Sequence, residues 1–326
     1  MVMRMNIGIK AQYTYMLLLH PLVMAVTVFL YHYLGGEVSY CGGDGLIRFP
    51  FLENLSGRTG MIVLGTGLLL VLSYLLFFIS DRYKSLSVST VFPALFYSFL
   101  SIGVLCRYGF NSYLIAAFMV VLAIFRLFHA IIKTNSNAAL FDFGLMIIMA
   151  VLICPKLVLL IPWAILVLPF SGRATLKDMM ALFVGFIVPL IFVGGYYWQA
   201  GQLETVSSLF TGSLFAGVEF IELIQRRPAV MLTLFLLVLL SFIQGMTHTS
   251  TLIVSQRRLF FAMLSLLLFL AGTLVVLPFS CMGFWYVLFV PLSYLYASYF
   301  TTSCRSKWMS LNAFLLLLAG GVLMFI

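Results

Sequence analysis

Glu37, Asp44 and Glu53 share the glycine-rich stretch 35–58, GGEVSYCGGDGLIRFPFLENLSGR, with Arg48 and Arg58. A carboxylate in such a segment can act as a general base on an acceptor hydroxyl. Arginine and lysine can hold a phosphate through charge-assisted hydrogen bonds. Arg107 and Lys156 are further cations that interrupt apolar runs, and with Arg48 they complete a candidate set for phosphate. The plainer reading of any one of these residues is a solvated loop side chain.

Other ionisable groups are sparse. Arg126 lies about 10 Å from the near end of an apolar run at the helical rise, close enough to extend its guanidinium to the membrane surface. His129 follows one turn later. Asp142, in FDFG, is expected in the first turn of a helix, where a carboxylate complements the dipole. His20 precedes Pro21, and its imidazole is expected to bond a carbonyl of a neighbouring turn. The histidines are His20, His32, His129 and His248. His20 and His32 are about 18 Å apart along one helix, so four ligands cannot converge, and no metal or other cofactor is expected. The cysteines Cys41, Cys106, Cys154, Cys281 and Cys304 are odd in number and lack C-x-x-C spacing. They outline neither a zinc site nor a disulfide framework, leaving one structural disulfide open.

The elements that must position these groups follow from composition. The 326 residues are 63% hydrophobic and 8% charged, against roughly 45–50% and about 25% in soluble domains. No soluble surface could hide so much apolar area. Apolar runs suited to crossing a bilayer fall at 13–34, 59–80, 88–105, 112–132, 138–154, 157–170, 178–198, 228–247, 259–277, 283–300 and 308–326. The expected fold is therefore all-α, a polytopic bundle of about eleven spans forming a single transmembrane domain over 1–326. The first run is longer than a signal-peptide core and has no A-x-A site after it, so it reads as a retained helix. The runs 138–154 and 157–170 are short and form a helical hairpin over 138–170, turning at Pro155-Lys156.

The net charge of +9 comes from basic residues scattered singly or in pairs between apolar runs, which excludes a nucleic-acid patch. Eleven of the 18 Lys and Arg fall on the side of the N-terminus, which places that terminus inside. Most acids then fall outside, in the loop 35–58 and in 199–228. The latter holds Leu203, Val206, Phe210, Leu214, Val218, Ile221 and Ile224 at steps of three and four. That spacing predicts an outer interfacial amphipathic helix over 203–224.

Residues 138–203 carry a resemblance. The stretch NAALFDFGLMIIMAVLICPKLVLLIPWAILVLPF, then GFIVPL and YYWQAGQL, resembles an uncharacterised family of multi-pass bacterial envelope membrane proteins. Some of its members bear the name beta-carotene monooxygenase, which the histidine geometry does not favour. The same stretch is more weakly similar to GT-C type glycosyltransferases that use polyprenyl-phosphate sugars. Gly144, Pro155-Lys156 and Pro162 match their short-helix, turn, short-helix pattern. That resemblance implies a cell inner-membrane protein of envelope biogenesis with membrane lipids and a polyprenyl-phosphate carrier as partners. Asp44 would be the leading base, with Glu37 and Glu53 behind it, while Lys156, Arg107 and Arg48 hold the lipid phosphate. The chain departs from the pattern in lacking a D-x-D, E-x-D or D-E pair in the loop and a large outer domain. A non-catalytic relative is therefore an equal expectation. Other readings are a scaffold subunit that binds further membrane proteins and, ranked last, a transporter or flippase. A transporter would normally carry midplane charges and an internal repeat.

Overall fold

The computed structural model describes residues 20–29, 31, 33, 45–47, 58–86, 90–133, 136–173, 175–217, 253–278 and 282–302, with a few single positions between 228 and 243. Among the described residues the secondary structure is entirely helical. In chain order the helices are α1 His20–Phe29, α2 Arg58–Arg82, α3 Phe92–Tyr108, α4 Ser112–Ile132 and α5 Asn137–Ile153. A 3-10 turn, Pro155–Leu159, leads into α6 Leu160–Phe170. Then come α7 Leu176–Gln199, α8 Leu203–Phe215, α9 Val254–Val276 and α10 Trp285–Thr302. Four of these, α2, α4, α7 and α9, are long and apolar enough to cross a membrane.

Polar residues set the boundaries. The Asn111 side chain accepts from Leu114 N at 3.0 Å and starts α4. Thr175 does the same for α7, accepting from Asp178 N at 3.2 Å, a Thr-x-x-Asp arrangement akin to a capping box. Pro93 opens α3, and Gly109, at φ 57°, closes it by donating to Leu105 O. α2 ends in a Schellman pattern, with Ser85 N donating to Ser80 O and Lys84 N to Asp81 O. The left-handed position of that pattern, normally glycine, is Lys84 at φ 44°.

α4 is central, packing on α5, α10, α2 and α9, and α5 lies between α4 and α7. The α5–α7 contact depends on two glycines. A Cβ on Gly185 would come 2.3 Å from Phe141 O, and one on Gly144 would come 2.6 Å from Leu182 O. Small residues thus let two apolar helices approach where the hydrophobic effect cannot drive them together. Trp163 ties α6 into the bundle by donating to Ser265 Oγ of α9 at 3.0 Å, and it meets Phe143 edge-on.

α7 is peripheral. Only 22% of its most apolar window is buried, against 56% for α4 and α9. Phe183, Ile187, Ile191, Phe192 and Trp198 are exposed along it. An apolar surface this continuous is not stable in water; it is what a lipid-facing helix presents.

Three local expectations are corrected. His20 does not bond a carbonyl. Ser98 Oγ donates to Ala94 O at 2.8 Å, so the imidazole Nε2–H donates to Ser98 Oγ, 2.6 Å away on α3. Asp142 is not in a first turn, because α5 begins at Asn137; it faces Arg126 across the α4–α5 contact at 3.3 Å. The amphipathic helix expected over 203–224 ends at Phe215, where Ala216 turns extended and Gly217 takes φ 124°. Residues 218–224 lie outside the described residues.

Two outcomes follow. Gly185→Ala should lower the melting temperature in detergent, at a cost of about 1–3 kcal/mol for forcing the helices apart. Gly194→Ala, with nothing within 4 Å of the added methyl, should leave it unchanged or slightly raised. Lys84→Gly should stabilise the fold by roughly 1 kcal/mol, the cost of a left-handed L-residue, read as a higher melting temperature.

Candidate functional site

Of the sequence candidates, Arg107 and Lys156 are among the described residues, and both stand at one end of the bundle. Here α3, α5 and α7 end and α2, α4 and α10 begin. Phe110 N donates to Met61 O at 3.2 Å, and the Tyr286 hydroxyl donates to Gly109 O at 3.4 Å. Gly283 lies so close to the Tyr113 ring that a Cβ would come within 2.7 Å.

The last carbonyls of a helix have no partner within it. At the end of α5 they are met by the first loop: Leu46 N and Ile47 N both donate to Leu152 O, at 2.9 and 3.3 Å. Gly45 sits flush on the same helix end, where a Cβ would fall 2.0 Å from Ile153 O. The Tyr197 hydroxyl of α7 donates to Leu46 O at 2.9 Å and pins the loop from the other side. Residues 45–47 therefore rest on α5 and α7 together, and Gly45 is the covalent neighbour of Asp44.

Lys156 follows in the 3-10 turn that leaves α5. Its side chain is buried, at 1% exposure, and its Nζ donates to Ala216 O at 2.7 Å, just past the C-terminus of α8. Burying an ammonium costs several kcal/mol before compensation. Two features offset that cost. The carbonyl ends of α5 and α8 carry negative partial charge, which favours a cation, and the Ala216 carbonyl supplies a direct acceptor. The amphipathic face of α8, Val206, Leu209, Phe210 and Leu214, packs toward the bundle, and α8 touches the 3-10 turn and α7. The 3-10 turn that bears Lys156 and the 203–215 helix thus pack together.

Arg107 is in the last turn of α3, half-buried, and its Nε has no hydrogen-bond partner among the described residues. It stands at the α3–α4 turn rather than on the hairpin that bears Lys156. Cys106 beside it and Cys154 before the 3-10 turn are buried and joined in no disulfide. Asp44, Glu37, Glu53 and Arg48 lie outside the described residues, so the structure places the loop's anchor and not its acids. Among the described residues no three His, Cys, Asp or Glu side chains group as metal ligands would.

At the opposite end, a functional-looking residue escaped the sequence reading. Arg173 Nε donates to Ala130 O at 2.9 Å, and its Nη2 donates to Lys133 O, so it closes the C-terminus of α4. Its other nitrogen meets Asp178 at 3.9 Å, and that acid is buried at the start of α7. The signal available was T-L-K-D two residues after Arg173, which announces a helix start and a carboxylate aimed back at it. Comparisons with protein families, with curated proteins and with solved structures find no match to this chain.

Chemically, the Lys156 end offers a buried cation in the turn after α5, where an anionic group could be held by charge. Lys156→Met should leave the Ala216 carbonyl without its donor. Hydrogen–deuterium exchange of α8 amides should then accelerate by about tenfold, the factor that a lost charged hydrogen bond of ~1.5 kcal/mol gives. Unchanged exchange would mean that α8 is held by its apolar face alone.

Proposed function

We propose that the chain is a cell inner-membrane protein of about eleven spans, N-terminus inside. In this reading the Lys156 end is an outer-leaflet site acting on polyprenyl-phosphate-linked glycans, as a GT-C-like transferase or a non-catalytic relative. The observation that carries the reading is the buried ammonium of Lys156, in the turn that follows α5, the helix on whose end the segment after Asp44 lies. A lysine in an apolar hairpin is costly and tends to mark function, and a carboxylate beside a phosphate-binding cation is the minimal apparatus for activating an acceptor hydroxyl. The orientation rests on the excess of Lys and Arg on the N-terminal side. Arg107 and Arg48 would assist with the phosphate, and Glu37 and Glu53 are the secondary acids. The partners in this reading are membrane lipids and the lipid carrier.

A second reading has its own observation. The Lys156 ammonium already donates to Ala216 O, a bond that fastens α8 and needs no ligand. On that view the chain is a non-enzymatic scaffold within an envelope or secretion assembly. Its lipid-facing α7 would then meet other membrane proteins.

Asp44→Asn separates the two, since it changes a loop carboxylate and leaves the Lys156–Ala216 bond untouched. In cells that make the variant at wild-type abundance, the transferase reading expects lipid-linked glycan intermediates to accumulate as they do in a deletion strain. Wild-type levels of those intermediates, with stable co-purification of other membrane proteins, would establish the scaffold instead.

A further inference from the structure

We propose that the end of the bundle opposite Lys156 carries a binding site for the phosphate of an anionic phospholipid. The site is formed by the Arg82 and Arg126 guanidiniums about the Phe125 ring, with the Tyr83 phenol beside them. It rests on the bundle lying in a bilayer and is independent of the transferase reading.

Arg82 Cζ lies 5.5 Å from the Phe78 ring centroid and 5.7 Å from that of Phe125, while Arg126 Cζ lies 5.8 Å from the same Phe125 centroid. Two guanidiniums are therefore held about one aromatic ring, each by cation–π attraction, although like charges repel. Lys133 adds to them, since it, Arg126 and Arg82 all act electrostatically on His129. The acids that stand against this set are Asp142, 3.3 Å from Arg126 Nε, and Asp81, exposed at the position before Arg82. Neither Arg126 nor Asp142 is closed off, at 43% and 33% side-chain exposure, so an anion can reach the pair.

The Tyr83 hydroxyl lies 3.3 Å from His129 Nδ1. Burial pushes the Tyr83 phenol above its ordinary pKa, with Arg82 and Arg126 opposing that shift. The phenol keeps its proton at neutral pH and can act as a neutral donor among the cations.

The lipid, rather than a soluble phosphate, follows from what lies next to the charges. Phe78 is 45% exposed one turn from Arg82, on a helix apolar enough to cross a membrane. A phosphate held by the two arginines therefore has an apolar helix surface running away from it, as a headgroup with attached acyl chains requires. Basic side chains near a bilayer surface each contribute ~1 kcal/mol to anionic-lipid attraction. Bidentate guanidinium–phosphate geometry makes arginine the better ligand of the two basic types.

The test is native mass spectrometry of the full chain in detergent with phosphatidylglycerol and with phosphatidylcholine added. The wild type should retain phosphatidylglycerol preferentially. R82Q and R126Q should each reduce that retention about fivefold, the factor that ~1 kcal/mol gives. D142N, which removes the competing carboxylate, should raise it. Arg82 is exposed, so R82Q keeps the fold and answers alone if R126Q does not. Wild-type preference in R82Q, or a D142N loss parallel to that of R126Q, would overturn the proposal. So would displacement of the lipid by millimolar inorganic phosphate, which would show that the site takes a soluble anion.

Discussion

A helix that ends inside an apolar bundle leaves carbonyl oxygens that no water can reach, and the rest of this structure depends on how those oxygens are met. Each such group costs free energy comparable to a lost hydrogen bond. The chain has 18 Lys and Arg and nine acids, and two of its most buried cations stand at helix C-termini. Arg173 closes α4 through Ala130 O and Lys133 O, and Lys156 meets α8 at Ala216 O. The end of α5 is closed by main-chain donors instead, Leu46 N and Ile47 N. The choice of donor matters. A backbone amide can only come from a segment laid across the helix end, so closing α5 in this way fixes where residues 45–47 lie.

That constraint links packing to the candidate site. Gly144 and Gly185 bring α5 and α7 into backbone contact, which sets Tyr197 within reach of the segment lying on α5. The hydroxyl of Tyr197 on Leu46 O then makes the loop a shared cap of two helices. Lys156, three residues past the end of α5, is tied to the end of α8 through Ala216 O. A substitution deep in the α5–α7 contact would therefore be felt at the loop, through the relative position of two helix ends rather than through any direct contact.

Much of the helical layout is legible in the sequence because crossing a bilayer imposes length and apolarity on each run. The runs at 59–80, 112–132 and 178–198 coincide with α2, α4 and α7 to within a few residues. The break after α5 is legible too, since Pro155 cannot continue that helix and the apolar residues resume directly. What could not be read is which helix each polar side chain faces. The partner of Asp142 is Arg126, sixteen positions earlier and on another helix. That of His20 is Ser98 on α3. Periodicity gives the face of a helix and not the identity of its neighbour. The end of α8 was missed for a different reason: apolar spacing continues past Phe215, while Ala216 and Gly217 break the backbone beneath it.

The two ends of the bundle treat their cations in opposite ways, and the difference is not one of charge number. At one end Lys156 is buried, its ammonium donating to the Ala216 carbonyl past the end of α8. At the other, Arg82 and Lys84 are exposed and Arg126 is only half-covered. Lys84 moreover keeps a left-handed backbone that glycine would adopt with less strain. Cations held open beside exposed aromatic rings suit a surface that meets anions continuously, as the cytoplasmic leaflet of a membrane does. A cation held shut suits a site that must exclude water and mobile ions until a specific group enters.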